Sequence, residues 1–140
     1  MKYQSQKFLE KISTMDEHIE QLKFELSELE KNRVSIRAVS YDRCGSGGAK
    51  GEAAFEKTAD KIADLELKIN REIEDLAQHR DDAIHLIQRL DNPKQSQILF
   101  MRYVKKMSFE EIMASIGYAA TYIYTMHRTA LAELDKITVQ

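Results

Sequence analysis

Apolar residues in the N-terminal half of the chain recur on a helical beat. Phe8, Ile12, Met15, Ile19, Leu22, Leu26 and Leu29 are separated by alternating gaps of four and three, the a/d spacing that seats one helix against another. The repeat continues weakly through Arg33 and Ile36, with Val34 and Val39 nearby. Glu17, Glu20, Lys23, Glu25, Glu28, Glu30 and Lys31 fill the intervening positions as a solvated face. The pattern predicts a helix that ends near Ser40 or Tyr41. A second stripe, predicted from about Ala53, comprises Phe55, Ile62, Leu65, Ile69, Ile73, Leu76, Ala83, Ile87 and Leu90, with His79 and Arg80 interrupting it. Each helix would be on the order of 50 Å long at 1.5 Å per residue, and neither can hide its stripe alone.

Four of the five glycines lie within 44–51, and such a stretch reads as a flexible hinge, here set at 42–52. A phosphate-cradling loop is excluded because the Walker spacing is missing and no strand precedes it. Two long helices joined by a short hinge predict an antiparallel hairpin or coiled coil over 1–91. A two-helix seam is narrow and leaves apolar surface over, which predicts a homodimer through the N-terminal helices.

The C-terminal third has a different rhythm, with short helices and explicit stop signals. Asn92 is a natural N-cap and Pro93 suits the first helical position, where its missing amide is no loss. A helix over 94–106 would bury Ile98, Leu99, Met101, Tyr103 and Val104. Ser108 is a second N-cap, Glu111 three residues later can complete a capping box, and Met107 with Ile112 forms a hydrophobic staple. That helix buries Phe109, Ile112, Met113 and Ile116 and stops at Gly117, which accepts a left-handed backbone without a Cβ penalty. The last helix, about 120–137, turns Ile123, His127, Ala130, Leu131, Leu134 and Ile137 inward, with Met126 at the margin. Its other face carries Thr121, Tyr122, Thr125, Arg128 and Ala132, with Tyr124 at the flank.

Two helices joined by a tight glycine turn can lay the second in a DNA major groove. The region 92–140 is therefore expected to be a helix-turn-helix domain. Its candidate contacts are Ala120, Thr121, Tyr122, Tyr124, Thr125 and Arg128 on the last helix, together with Lys105, Lys106 and Ser108 ahead of the preceding one. Hydroxyls and Arg128 can bond phosphates or bases, and small Ala119 and Ala120 permit close approach.

Charge qualifies this expectation. The whole chain carries a net charge of -2. After Asn92, however, Lys94, Arg102, Lys105, Lys106, Arg128 and Lys136 outnumber Glu110, Glu111, Glu133 and Asp135, leaving that part at +2. The sign suits a polyanion and the magnitude is small. Hydrophobic residues make up 43% and charged residues 31%, and no apolar run approaches the ~20 residues of a membrane span. Met1–Gln6 has no apolar signal region, and the one cysteine, Cys44, fits a reducing cytoplasm. No Ser-His-Asp order and no His-Glu-x-x-His motif is present, and Asp81 with His85 is too few ligands for a metal. The expectation is a protein that is not an enzyme, has no cofactor or metal and does not meet a membrane.

Ile98-Leu99-Phe100-Met101-Arg102-Tyr103, then Phe109 through Tyr118, with Ile123 and Ala130-Leu131 trailing, resemble region 4 of bacterial sigma factors. Taken with 62–76 and the glycine hinge, the chain is similar to the small sigma-region-4-like regulators of Gram-positive phages, the ArpU/RinA-type activators of late genes. Two positions depart from that family: Ala119 stands where a serine cap is usual, and Thr125 where a basic residue is frequent. The resemblance implies an all-α, cytoplasmic and nucleoid-associated transcription regulator of phage or prophage origin. Double-stranded DNA would be its ligand, and RNA polymerase a protein partner. The alternative is a sigma-like interaction module acting mainly through RNA polymerase or another protein.

Overall fold

A computed structural model describes residues 3–42 and 48–139, with side chains over 3–36 and 52–138. Among the described residues the protein is all-helical, with five α-helices and no strand. These are α1 (Gln4–Asp42), α2 (Gly48–Gln88), α3 (Pro93–Leu99), α4 (Phe109–Ile116) and α5 (Ala120–Val139). A π-helical turn, Phe100–Val104, continues α3. The chain divides into two compact units, Met1–Asp16 with Asp75–Gln140, and Glu17–Glu74.

In the unit Glu17–Glu74, α1 and α2 lie antiparallel. Leu22 packs on Leu65 and Ile69, with Leu26 and Leu29 alongside. His18 approaches Glu72 at 3.9 Å, and the Arg33 guanidinium sits 4.6 Å above the Phe55 ring. Leu22, Leu26 and Leu29 of the α1 apolar stripe meet Leu65 and Ile69 of the α2 stripe here. Ile73 departs from its predicted place: it is exposed, and Glu72 takes the half-buried position beside it. The second helix, predicted from about Ala53, begins earlier, and 43–47 of the predicted hinge lie outside the described residues. Gly48 to Gly51 belong to α2, because a helical glycine costs only about 1 kcal/mol relative to alanine and Ala49, Lys50, Glu52, Ala53 and Ala54 propagate the helix. Cys44 lies outside the described residues.

In the other unit the start of α1 packs against the end of α2 and the C-terminal helices. Leu9, absent from the predicted stripe, is fully buried, as are Ser5 and Ile12. The Ser5 hydroxyl donates to the Leu131 carbonyl at 2.9 Å, and its amide donates to Asp135 Oδ1 at 2.8 Å. A carboxylate from α5 thus satisfies an orphan amide at the N-terminus of α1. His79 does not interrupt the second stripe. It is 8% exposed, its Nε2–H donates to the Phe8 carbonyl at 2.7 Å, and its ring packs on Phe8. A polar ring is tolerated in the seam because it has a partner there.

The caps fall where their residue types predict. Asn92 accepts from the amides of Lys94 and Gln95 ahead of Pro93. The Ser96 hydroxyl donates to the Ile87 carbonyl at the end of α2. Ile98, Leu99, Met101, Tyr103 and Val104 are all buried, as befits a helix surrounded on every side. Ile98, Met101, Ile112 and Ile123 form the core, and Met107, Phe109, Met113, Ile116 and Met126 pack around it. Truncating Ile112 to alanine here would cost about 2–5 kcal/mol.

Candidate functional site

The helix predicted over 94–106 ends earlier, and the way it ends shapes the site. The Lys105 amide bonds to Phe100 O and the Met107 amide to Met101 O, each at 3.0 Å. These wide turns close the helix at Val104 and leave Lys106 in the left-handed region at φ 58. Lys105 and Lys106 therefore stand in a tight turn rather than on a helix face.

Three residues later the chain enters α4. Ser108 Oγ accepts from the Glu111 amide at 3.1 Å, and Met107 packs with Ile112 as a staple should. Only half of the capping box forms, because among the described residues the Glu111 carboxylate makes no hydrogen bond back to Ser108. Gly117 closes α4 at φ 75 with its amide on Met113 O at 2.9 Å, and α5 begins at Ala120. The Ala119 side chain cannot accept a hydrogen bond, so the cap that serine would supply is missing. The Ala119 carbonyl still accepts from Ile123, and α5 forms regardless because its inner face is buried.

That inner face holds Ile123, Ala130, Leu131 and Leu134, all buried, with His127 and Ile137 half-buried. On the outer face Thr121, Tyr122, Tyr124, Thr125 and Arg128 are exposed, while Ala120 and Ala132 are half-buried. The structure thus brings the six predicted α5 positions onto one accessible stretch of helix. The three residues ahead of α4 have different surroundings. Ser108 is occupied by its cap. Lys106 pairs with Asp16 of α1, a residue absent from the predicted set. Lys105 is exposed, with its ammonium 5.9 Å from the Phe100 ring.

Two cation–aromatic stacks flank the first turns of α5. On one side Arg102 lies 4.4 Å over the Phe109 ring, and Phe109 packs on Tyr124 at 4.7 Å and edge-on to His127 at 5.2 Å. Arg102 is occupied in this position, donating to the Met107 carbonyl at 2.9 Å, and so it secures the turn before α4. On the other side Lys94 lies 5.2 Å from the Tyr118 ring, which stacks on Tyr122 at 4.5 Å. Gln95, the next residue, reaches Thr129 of α5 at 3.3 Å. Neither Lys94 nor Tyr118 is among the sequence-predicted site residues. The signal that could have found Tyr118 is its i,i+4 spacing from Tyr122, whereas nothing local ties Lys94 to either.

Beneath α5 lies a cleft of about 200 Å³ lined by Gln6, Glu10, Ser13, Arg102, Tyr103, Lys106, Phe109 and His127. Burial pushes the Tyr103 hydroxyl up to about 12, with the charge of Glu10 adding to the effect. Burial and then Arg102 push His127 down to about 4. Both groups are neutral near pH 7 and complete one hydrogen bond between them. Among the described residues no group of three or more His, Cys, Asp or Glu gathers as metal ligands would. No helix among them is long and apolar enough to cross a membrane.

The described residues define an all-helical protein that presents a polar helix face beside a glycine corner. Residues 52–135 match the family described as Protein of unknown function (DUF1492). That match covers more than half of the chain, and the chain belongs to this family. No curated protein and no solved structure matches it.

Proposed function

We propose that this protein is a duplex-DNA-binding regulator of transcription in which α4, the Gly117 turn and α5 act as a helix-turn-helix. The observation that carries the reading is the two-faced character of α5. Its apolar side is fixed in the core by Ile123, Ala130, Leu131 and Leu134, which leaves Thr121, Tyr122, Thr125 and Arg128 outward in a regular row. A helix held rigidly by one face and presenting hydroxyls and a guanidinium on the other has the chemistry to read base edges and phosphates. Ala120 at its start permits close approach, and Lys105 supplies a further exposed cation.

The phage or prophage origin, the cytoplasmic setting and a contact with RNA polymerase rest on the resemblance to sigma region 4. In this reading α1 and α2 form a coiled-coil arm. Phe24, Val34, Leu67 and Ile73, exposed on that arm, are apolar surface for a second copy. No step in this function calls for a cofactor.

The test is selection of bound sequences from a random duplex pool by the purified full-length protein at two salt concentrations. A shared sequence should emerge. Arg128→Ala and the pair Tyr122→Ala/Thr125→Ala should weaken binding to it with helicity unchanged, by about 1–3 kcal/mol for each side chain that reads a base edge. Absence of any duplex preference at low salt, with no effect of these substitutions, would replace the reading by the polymerase-directed interaction module.

A further inference from the structure

We propose that Lys94 is a DNA-phosphate contact beside the outer face of α5, and that the stacked rings of Tyr118 and Tyr122 position it. The inference deepens the DNA-binding reading and rests on it.

Lys94 occupies an unfavourable place for a purely structural cation. It is the second residue of α3, after the Asn92 cap and Pro93, and the positive end of a helix dipole disfavours a cation there. No acidic residue stands in that first turn, and no carboxylate pairs with Lys94 among the described residues. Its contacts are the side-chain oxygen of Gln97 at 3.4 Å and the face of Tyr118. A cation held by a ring and a long amide contact, against a helix dipole, still lacks an anion. The same set of interactions is closed on the opposite flank, where Arg102 donates to the Met107 carbonyl as it covers Phe109.

The rings decide where that anion lies. Tyr118 is 40% exposed and Tyr122 36%, so their stack is a surface feature joined to the solvent face of α5. Tyr118 is the residue after Gly117, whose left-handed backbone turns the chain between α4 and α5. Tyr122 is one turn into α5, next to Thr121 and one turn before Thr125. Lys94, drawn over Tyr118 by the ring quadrupole, is thereby held at the edge of the row that faces the duplex. An ammonium there reaches the DNA backbone rather than the base edges, which are left to α5. Its contribution is to affinity and register, without sequence preference.

The test uses the full-length protein, a duplex recovered by the selection and an unrelated duplex of equal length, with affinity followed across a salt series. Lys94→Gln should weaken binding to both duplexes by the same factor and lower the slope of log affinity against log salt by about 0.9, the value for one phosphate. Lys94→Arg should retain both affinity and slope. Tyr118→Ala should behave like Lys94→Gln, while Tyr118→Phe, which keeps the ring, should bind like the parent protein. A parent protein that binds its selected duplex while Lys94→Gln leaves affinity and slope unchanged would overturn the phosphate contact and spare the DNA reading. Equal losses in Tyr118→Phe and Tyr118→Ala would overturn the positioning role of the ring. A parent protein that binds no duplex would overturn the reading and this inference together. Melting curves for each variant separate weakened DNA binding from unfolding, because removing Lys94 from the start of α3 relieves its repulsion from the helix dipole.

Discussion

The Tyr103 hydroxyl stands 2.7 Å from Nε2 of His127, and the two share one hydrogen bond. Both partners of this bond are uncharged near pH 7. Tyr103 keeps its proton because burial and Glu10 raise it to about 12. His127 stays neutral because burial and Arg102 lower it to about 4. Protonating His127 would place a charge where burial and Arg102 disfavour it, at the contact that joins the π turn to α5.

Acid sensitivity follows directly. The unfolded chain takes up the His127 proton near 6.5 and the folded one only near 4, so stability is full above 6.5 and falls as the pH drops from there to about 4. The slope stays below the ~1.4 kcal/mol per pH unit of one whole proton, because the two states differ by less than one bound proton at every pH. Urea midpoints taken between pH 7 and 4 should show this fall, with a smaller fall in His127→Gln. An NMR titration placing His127 at or above 6.5 would contradict the assignment.

Lys106 and Gly117, both left-handed, should respond differently to substitution. Gly117→Ala meets no atom within 4 Å, so its cost is purely that of a Cβ at φ 75, about 1–2 kcal/mol. Lys106→Gly relieves the same strain and forfeits only an ion pair with Asp16 whose side chains are 38% and 40% exposed, a kind of pair worth about 0–1 kcal/mol. Thermal melts should show a lower Tm for the first variant and an equal or higher one for the second. Destabilisation by Lys106→Gly comparable to that of Gly117→Ala would mean that the Asp16 contact outweighs the backbone.

Antiparallel pairing of α1 and α2 can be measured within the unit Glu17–Glu74. Spin labels replacing His18 and Glu72 should report a separation set by the 8–10 Å between packed helix axes plus the label arms. A single continuous helix would place the same labels roughly 80 Å apart. The long distance would remove the hairpin.

Self-association is the outcome expected of the apolar positions left open on the arm. Phe24 is 68% exposed and Val34 69%, and pairing with a second copy would remove both from water. Sedimentation equilibrium at micromolar concentration should show a dimer that Phe24→Asp weakens without changing helicity. A strict monomer in the parent protein would leave these residues without a partner and remove the dimer from the functional reading.

Sequence alone determined the features whose physics lies within a turn or two. Asn92, Ser108 and Gly117 act through neighbouring amides and their own backbone angles, so their roles were legible residue by residue. The heptad spacing likewise specified two long helices, and the inward and outward faces of α5 followed from its period. Tertiary structure decided what depends on distant partners. His79 looked like a break in a stripe because its polarity is a local property, whereas its partner, the Phe8 carbonyl, is 71 residues away. Ser5 is buried where α5 lies across it, with Asp135 capping α1 from 130 residues away. The cations of the candidate site were sorted in the same way. Arg102 is held by the turn it supports, Lys106 is met by Asp16, and Lys94 is drawn onto Tyr118. Composition counts these three charges alike; packing assigns each its neighbours, because electrostatic and π contacts act over a few ångströms of space and take no account of distance along the chain.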